Sequence, residues 1–312
     1  MRVLIVGAGA IGSLFGFLLA RAGPTVVLVG RPPQVATIRD RGIQVEGRQE
    51  GTVRVEARSE VPTGAGVDLV LLAVKARDAR SASATVARSV RPPVPVVALQ
   101  NGLGIEEEVT LGLTDGGWPE AARWVVRAVN SYGATELAPG RIRFAGVGEL
   151  LLPAASGPDA PPARAAEALR GAGIEVRTVP QIDREVWRKL LVNAAINPVT
   201  ADHHVVNGAL RQDPLRGQAL RLLREAQEVA RAEGYDFPDA EADAELWRVV
   251  RATAENRSSM LQDVERGRPT EVDWISGALL AAGRRHGLDL PETRRALERV
   301  HRRESLGASQ PS

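Results

Sequence analysis

Along the first half of the chain, short apolar runs alternate with stretches of helical spacing. Val3–Val6 is a fully apolar strand, and Ile11–Ala22 repeats its apolar positions as a helix closed by Gly23. Thr25–Val29 reads as a second strand. Asp68–Val74 and Val94–Leu99 read as two more, separated by the helical stretch Ala79–Val90 and the stop Pro92-Pro93. Short apolar runs without polar alternation belong to strands buried on both faces, so the pattern predicts a parallel sheet covered by helices. Trp124–Val129, Arg141–Phe144 and Glu149–Leu152 continue the strand signals. A loop follows over Pro153–Ala163, then a helix from Arg164 and a last strand at Ile174–Thr178.

Beyond Pro180 the period changes. Strand signals stop, and helical spacing runs through Asp183–Asn197, Pro214–Glu233, Ala240–Gln262 and Thr270–His286. The pattern therefore predicts two domains: residues 1–180 form a Rossmann-type, doubly wound α/β domain, and residues 181–312 form an all-α domain. No internal repeat is visible, and Gly307–Ser312 reads as a disordered tail.

Composition narrows the function classes. Apolar residues make up 44% and charged residues 25%, with a net charge of +2, which is ordinary for a soluble globular protein. Arginine is spread along the whole length without a basic stripe or interleaved aromatics, so nucleic acid is not an expected partner. Cysteine is absent, which excludes disulfides, thiolate metal sites, iron–sulfur clusters and a cysteine nucleophile. The four histidines, His203, His204, His286 and His301, have no ligand spacing, so no metal is expected. The apolar run Val3–Ala20 has the length of a signal peptide or membrane span, but Gly7, Gly9, Gly12 and Gly16 interrupt it. The reading is a soluble, cytoplasmic protein.

Of 40 basic residues, only Lys75 and Lys189 are lysines. Where any positive charge would serve, this chain uses arginine. A lysine ammonium is compact and can release its proton near neutrality, whereas a guanidinium is a broad fork that stays charged. Two lysines surviving against that preference point to proton transfer or a tight fit against a ligand.

Gly7-Ala8-Gly9-Ala10-Ile11-Gly12 is a GxGxxG directly after a strand and opening a helix. In that context the glycines permit a tight turn, backbone approach to a pyrophosphate and close helix–strand packing. The end of the second strand, Val29-Gly30-Arg31-Pro32, lacks the acid that would bind an NAD ribose and carries Arg31 instead, which favours NADP. Lys75 and Asn101-Gly102 follow two further strands, at the carboxyl ends that line the ligand crevice of such sheets. In the second half, Lys189, Asn193 and Asn197 are spaced i, i+4, i+8 on an otherwise apolar helix, as the lining of a polar-ligand pocket would be. Asn256–Asp263 places hydroxyls and amides on a helix, and Thr270 is a helix N-cap candidate followed by Glu271.

With these blocks in place, the chain resembles the ketopantoate reductase family nearly end to end. Gly7–Gly12, Val74-Lys75-Ala76, Asn101–Gly104, Trp187–Ala201, Asn207-Gly208, Ala254–Asp263 and Thr270–Gly277 carry the resemblance. It implies NADPH-dependent reduction of 2-dehydropantoate to (R)-pantoate, and a helical half like the C-terminal domain of 6-phosphogluconate dehydrogenase. Lys189 is then the proton donor, with Glu271 beside the reacting centre. Asn193, Asn197, Asn207, Ser259 and Lys189 contact the keto acid. Lys75, Asn101, Ala134 and Glu271 lie along the cofactor with Gly7, Ala8, Gly9, Ala10, Ile11, Gly12 and Arg31. The stretch Arg127–Gly133 lacks the threonine-rich run of the best-known members. Two other readings stand beside this one: a reductase of another 2-keto acid, and a non-catalytic NADPH-sensing protein. A short-chain dehydrogenase is disfavoured, since neither Tyr132 nor Tyr235 has a lysine four residues later. The sequence leaves the oligomeric state open, with a homodimer among the options.

Overall fold

The computed structural model describes residues 1–64 and 66–308. The chain divides into two compact units, one of residues 1–100 and 105–182, the other of residues 101–104 and 183–312.

In the first unit the order is β1 (Arg2–Val6), α1 (Ala10–Ala22), β2 (Thr25–Val29), α2 (Pro32–Arg41), β3 (Ile43–Gly47), β4 (Gly51–Val53), β5 (Glu56–Arg58), β6 (Leu69–Leu72), α3 (Ala79–Ser89) and β7 (Val96–Ala98). After α4 (Ile105–Asp115) and α5 (Ala121–Trp124) come β8 (Val125–Arg127), β9 (Val129–Asn130), β10 (Gly133–Ala138), β11 (Arg141–Gly146), β12 (Leu150–Pro153), α6 (Pro161–Gly171) and β13 (Val176–Val179). The main sheet has the order β5-β2-β1-β6-β7-β8, with every pairing parallel. Because β2 and β6 flank β1 on opposite sides, the strand order reverses beside β1, the place where such sheets bind ligands. Two smaller sheets, β10-β11-β3-β4 and β13-β12-β9, complete the unit.

The apolar run at Val3–Ala20 is β1 and most of α1. The strand is buried from Val3 to Val6, and α1 buries Leu14, Phe15, Phe17 and Leu19 in the same core. Among the described residues, no helix is long and apolar enough to cross a membrane.

Trp124–Val129 proves to be three pieces. α5 ends at Trp124, β8 extends the main sheet, and β9 crosses to pair with β12. An apolar run cannot reveal that its two ends join different sheets. The second strand, Thr25–Val29, has the expected bounds, whereas the third and fourth, read as Asp68–Val74 and Val94–Leu99, are shorter at both ends. Asp68, for instance, uses its carboxylate to accept the Arg2 N–H at 2.7 Å. α2, β3 to β5 and α4 were not anticipated.

The second unit is helical: α7 (Ile182–His203), α8 (Leu215–Ala232), α9 (Asp239–Ala252), α10 (Ser259–Glu265), α11 (Ala278–Arg285) and α12 (Pro291–Ala308). Its core joins Leu190, Leu223, Leu246, Leu279 and Val300. The helix expected over Ala240–Gln262 is broken between Ala252 and Ser259. There Gly208 N and Asn207 N donate to the Ala254 and Asn256 carbonyls at 2.9 Å, which takes the backbone out of helical pairing. Asn256–Ser258 therefore precede α10 instead of lying within it. The helix expected from Thr270 begins as a π-turn over Asp273–Gly277 before α11, and α12 was not anticipated. Residues 307 and 308 of the expected disordered tail continue α12, and the rest of that tail lies outside the described residues.

Candidate active site

The turn between β1 and α1 is built by close backbone approach. A Cβ on Gly12 would lie 1.8 Å from the Gly7 carbonyl oxygen, so only glycine permits this crossing of turn and helix. A Cβ on Gly30, at the end of β2, would meet Ala8 Cβ at 2.4 Å. Gly9 differs: its absent side chain faces open space, with nothing within 4 Å. Gly9 is also the N-cap of α1, supplies no capping side chain, and no acid follows in the first turn. The first-turn N–H groups of a helix have no intrahelical acceptor and carry the positive end of its dipole. The open space at Gly9 and that donor set fit a dinucleotide pyrophosphate.

Arg31 is exposed and stands immediately before α2, with Pro32 at the first helical position and no acid in the first turn. The acid on the neighbouring strand, Glu56, is taken up by Arg58 and Arg2. The hydrogen bond from Arg58 above all holds its carboxyl below the usual carboxylate range, although partial burial opposes this. Lys75 is half-buried just past β6, where its carbonyl accepts the Asp78 N–H at 2.9 Å. Ala134 lies in β10, paired with Phe144, and its side chain packs on the core of this unit. The buried Arg127 at the end of β8 donates from Nη1 to the Gln100 carbonyl at 2.8 Å, fixing the peptide that leads into Asn101.

The remaining candidates belong to the second unit. α7 is anchored at its start by Trp187 stacked on Tyr235 at 5.9 Å and by Arg188 Nη1 donating to Glu241 at 2.6 Å. Leu190 and Leu191 are buried, which leaves Lys189 and Asn193 half-buried on the other side, while Asn197 is buried. The polar row thus runs into the protein instead of along a wet face. Directly after Asn197, Pro198 lacks the N–H that would continue the helix ladder. Thr200 Oγ1 donates to the carbonyls of Ile196 and Asn197 at 3.0 and 3.1 Å.

Thr200 Oγ1 also lies 2.7 Å from Ser258 Oγ, and Ser258 caps α10 by accepting the Leu261 N–H at 3.1 Å. Ser259 follows as the first residue of α10 and is exposed. Asn207 is buried and donates from Nδ2 to Thr253 Oγ1 at 2.9 Å. Its Oδ1 is buried without a hydrogen-bond partner among the described residues. An unmet buried acceptor costs about 1–3 kcal/mol, so this oxygen is suited to a ligand hydroxyl. Ser258 was read only as one hydroxyl of the Asn256–Asp263 cluster, and Thr200 and Thr253 were not singled out, because support of this kind carries no motif.

Glu271 is buried and accepts a hydrogen bond from Asn101 Nδ2 at 3.2 Å, 170 residues away in the chain. The Asn101–Gly104 turn is docked on the π-turn: Leu103 N donates to the Trp274 carbonyl at 3.1 Å. Gly102 has φ +99° and would place a Cβ 2.4 Å from that same oxygen, so a side chain there is excluded twice over. Thr270 Oγ1 accepts the Val272 N–H at 3.1 Å, but Thr270 is not the cap of the π-turn, whose first accepting carbonyl is that of Glu271.

Two family models match, ketopantoate reductase PanE/ApbA over residues 3–157 and its C-terminal partner over residues 181–304. The chain is 37% identical to the 2-dehydropantoate 2-reductase of Archaeoglobus fulgidus, over 97% of this chain and 98% of that one. It is 34% identical to the protein of that name from Pyrococcus abyssi, over 93% and 94% of the two chains. A crystal structure of a PanE/ApbA family ketopantoate reductase from Ralstonia eutropha superposes with a TM-score of 0.86 at 30% identity, covering 99% of this chain and 100% of that one. A D-mandelate dehydrogenase solved with NADH and anilino(oxo)acetate shares the fold, with a TM-score of 0.89 at 24% identity over 99% and 100% of the chains. Matched along both halves and built on the same fold, the chain belongs to the ketopantoate reductase family.

Proposed function

We propose that this enzyme reduces 2-dehydropantoate to (R)-pantoate with NADPH, in the cytoplasm, as a step of pantothenate and coenzyme A synthesis. The reading rests on one observation above others: α7 carries an ammonium and two amides along a single line, half-buried at Lys189 and Asn193 and buried at Asn197, among the buried apolar residues Leu190, Leu191, Val192 and Ile196. NADPH when bound supplies a hydride to C2 of the keto acid. The chain's residues supply the rest. Gly7 to Gly12 cradle the pyrophosphate, and Arg31 meets the 2′-phosphate, where a guanidinium gives a bidentate charged contact. Lys75, Asn101 and Ala134 lie along the cofactor.

Negative charge develops on the carbonyl oxygen as C2 is reduced. Lys189 Nζ stabilises that oxygen and gives it a proton, and contributions of this kind are worth about 10²–10⁴ in rate. Asn193, Asn197 and Ser259 orient the carboxylate and hydroxyl of the substrate, and the unpartnered Asn207 Oδ1 accepts from the hydroxyl. Glu271, fixed by Asn101, stands beside the reacting centre.

The test is NADPH oxidation followed by absorbance, with ketopantoate against a panel of other 2-keto acids, and NADH as the control. The expected result is turnover with ketopantoate at kcat/KM of about 10⁴ M⁻¹s⁻¹ or above and a strong preference for NADPH. Turnover with another acid alone would replace the substrate and keep the role of Lys189. NADPH binding without reduction of any acid would overturn the enzymatic reading. Light scattering on the same preparation gives the assembly, expected to be a homodimer.

A further inference from the structure

The last helix is tied to the segment that bears Glu271. Thr270, buried next to Glu271, donates its backbone N–H to Glu304 Oε1 on α12 at 2.7 Å. One turn earlier on the same helix, His301 Nε2 lies 3.0 Å from Asp273 Oδ1, at the start of the π-turn. The same stretch of α12 holds the end of α7. Arg299 Nη1 and Arg303 Nε reach the two carboxylate oxygens of Asp202 at 3.4 and 3.3 Å. The far end of α12 is fastened separately, where Glu225 accepts the N–H groups of Glu292 and Thr293 at 2.8 and 2.7 Å.

We infer that Glu304 is a positioning residue for Glu271: its carboxylate fixes the Thr270 peptide and so sets where the Glu271 side chain stands. This rests on the proposed role of Glu271. The physical case is that Thr270 N sits at the head of a turn with no helical acceptor, so an external carboxylate decides its orientation. Asn101 holds the Glu271 side chain, and Glu304 holds the backbone N–H of Thr270, the residue before it. A carboxyl group displaced by about 1 Å from its working position can cost about a hundredfold in rate.

The experiment compares Glu304→Ala, Glu304→Asp, Glu304→Gln, Glu225→Ala and Glu271→Gln in the full chain by kcat, KM for ketopantoate, NADPH affinity and Tm. Glu304→Ala is expected to lower kcat by about tenfold to a hundredfold with NADPH affinity nearly unchanged. Glu304→Asp, one methylene short of Thr270 N, should lower kcat while keeping Tm close to that of the parent, and it decides the matter if the alanine variant fails to fold. Glu304→Gln keeps an acceptor oxygen and should retain most of kcat. Glu225→Ala loosens the same helix and should lower Tm without lowering kcat. Parental kcat in Glu304→Ala or Glu304→Asp, alongside an inactive Glu271→Gln, would overturn the proposal. So would an equal loss of kcat in Glu225→Ala. Parental kcat in Glu271→Gln would instead overturn the role of Glu271 itself.

Discussion

In the proposed reading, the β1–α1 turn and the α7 row achieve recognition by opposite means. At the turn, backbone N–H groups and the absence of side chains create the site, and Gly9 contributes by leaving space empty. On α7 the backbone is an ordinary helix, and three side chains on one line create the site. The first kind fails when an atom is added, the second when a functional group is exchanged. The two should therefore break in different measurable ways.

The largest effect is expected on α7. Lys189→Arg keeps the charge but not the compact, releasable proton, so kcat should fall by about 10²–10⁴ while NADPH binding by fluorescence titration stays near the parent value. Near-parental kcat would remove the side-chain half of the contrast. At the turn, two single methyl groups give a sharper comparison. Gly12→Ala drives a Cβ into the Gly7 carbonyl, which should cost about 1–3 kcal/mol or more and several degrees of Tm, along with cofactor binding. Gly9→Ala meets no protein atom, so Tm should hold while NADPH affinity drops by about tenfold or more. Equal affinity in Gly9→Ala and the parent would show that the open space is not the phosphate site.

A smaller effect is expected at Arg31. Its replacement by alanine removes one charged hydrogen-bonding group, worth about 1.5–3 kcal/mol, so KM for NADPH should rise roughly tenfold to a hundredfold and KM for NADH should stay level. The smallest lies away from both sites, at Glu233. Burial pushes its carboxyl up, but hydrogen bonds from His286 and Arg285 outweigh this and leave it below the usual range. A carboxyl depressed in the folded state stabilises above its unfolded value and loses that contribution as pH falls through the folded one. Glu233→Gln should therefore lower Tm slightly at neutral pH and converge on the parent as pH falls below about pH 4.5, which flattens the acid limb of Tm against pH.

The contrast also explains what could be read from the chain. Glycine spacing after an apolar strand announces a backbone site, because the constraint falls on consecutive residues. The α7 row was legible because lysine and asparagine are unusual against a background of arginine and leucine. The 32–58 segment was silent, since its strands are short, partly exposed and interrupted by charge. The pairing of Ser258 with Thr200 and of Glu304 with Thr270 was invisible for another reason: the partners lie 58 and 34 residues apart. The break at 253–258 could not be foreseen either, as its cause is pairing with Asn207 and Gly208.

The four residues 101–104 set a condition on any attempt to treat this enzyme as two exchangeable modules. They are encoded in the middle of the Rossmann half but fold with the helical one, where they hold Glu271 and the Trp274 carbonyl. A chimera that joins this first half to a relative's helical half at residue 180 would present a foreign Glu271 neighbourhood with an unmatched turn. Such a graft must carry Asn101–Gly104 and the π-turn together as one inherited piece.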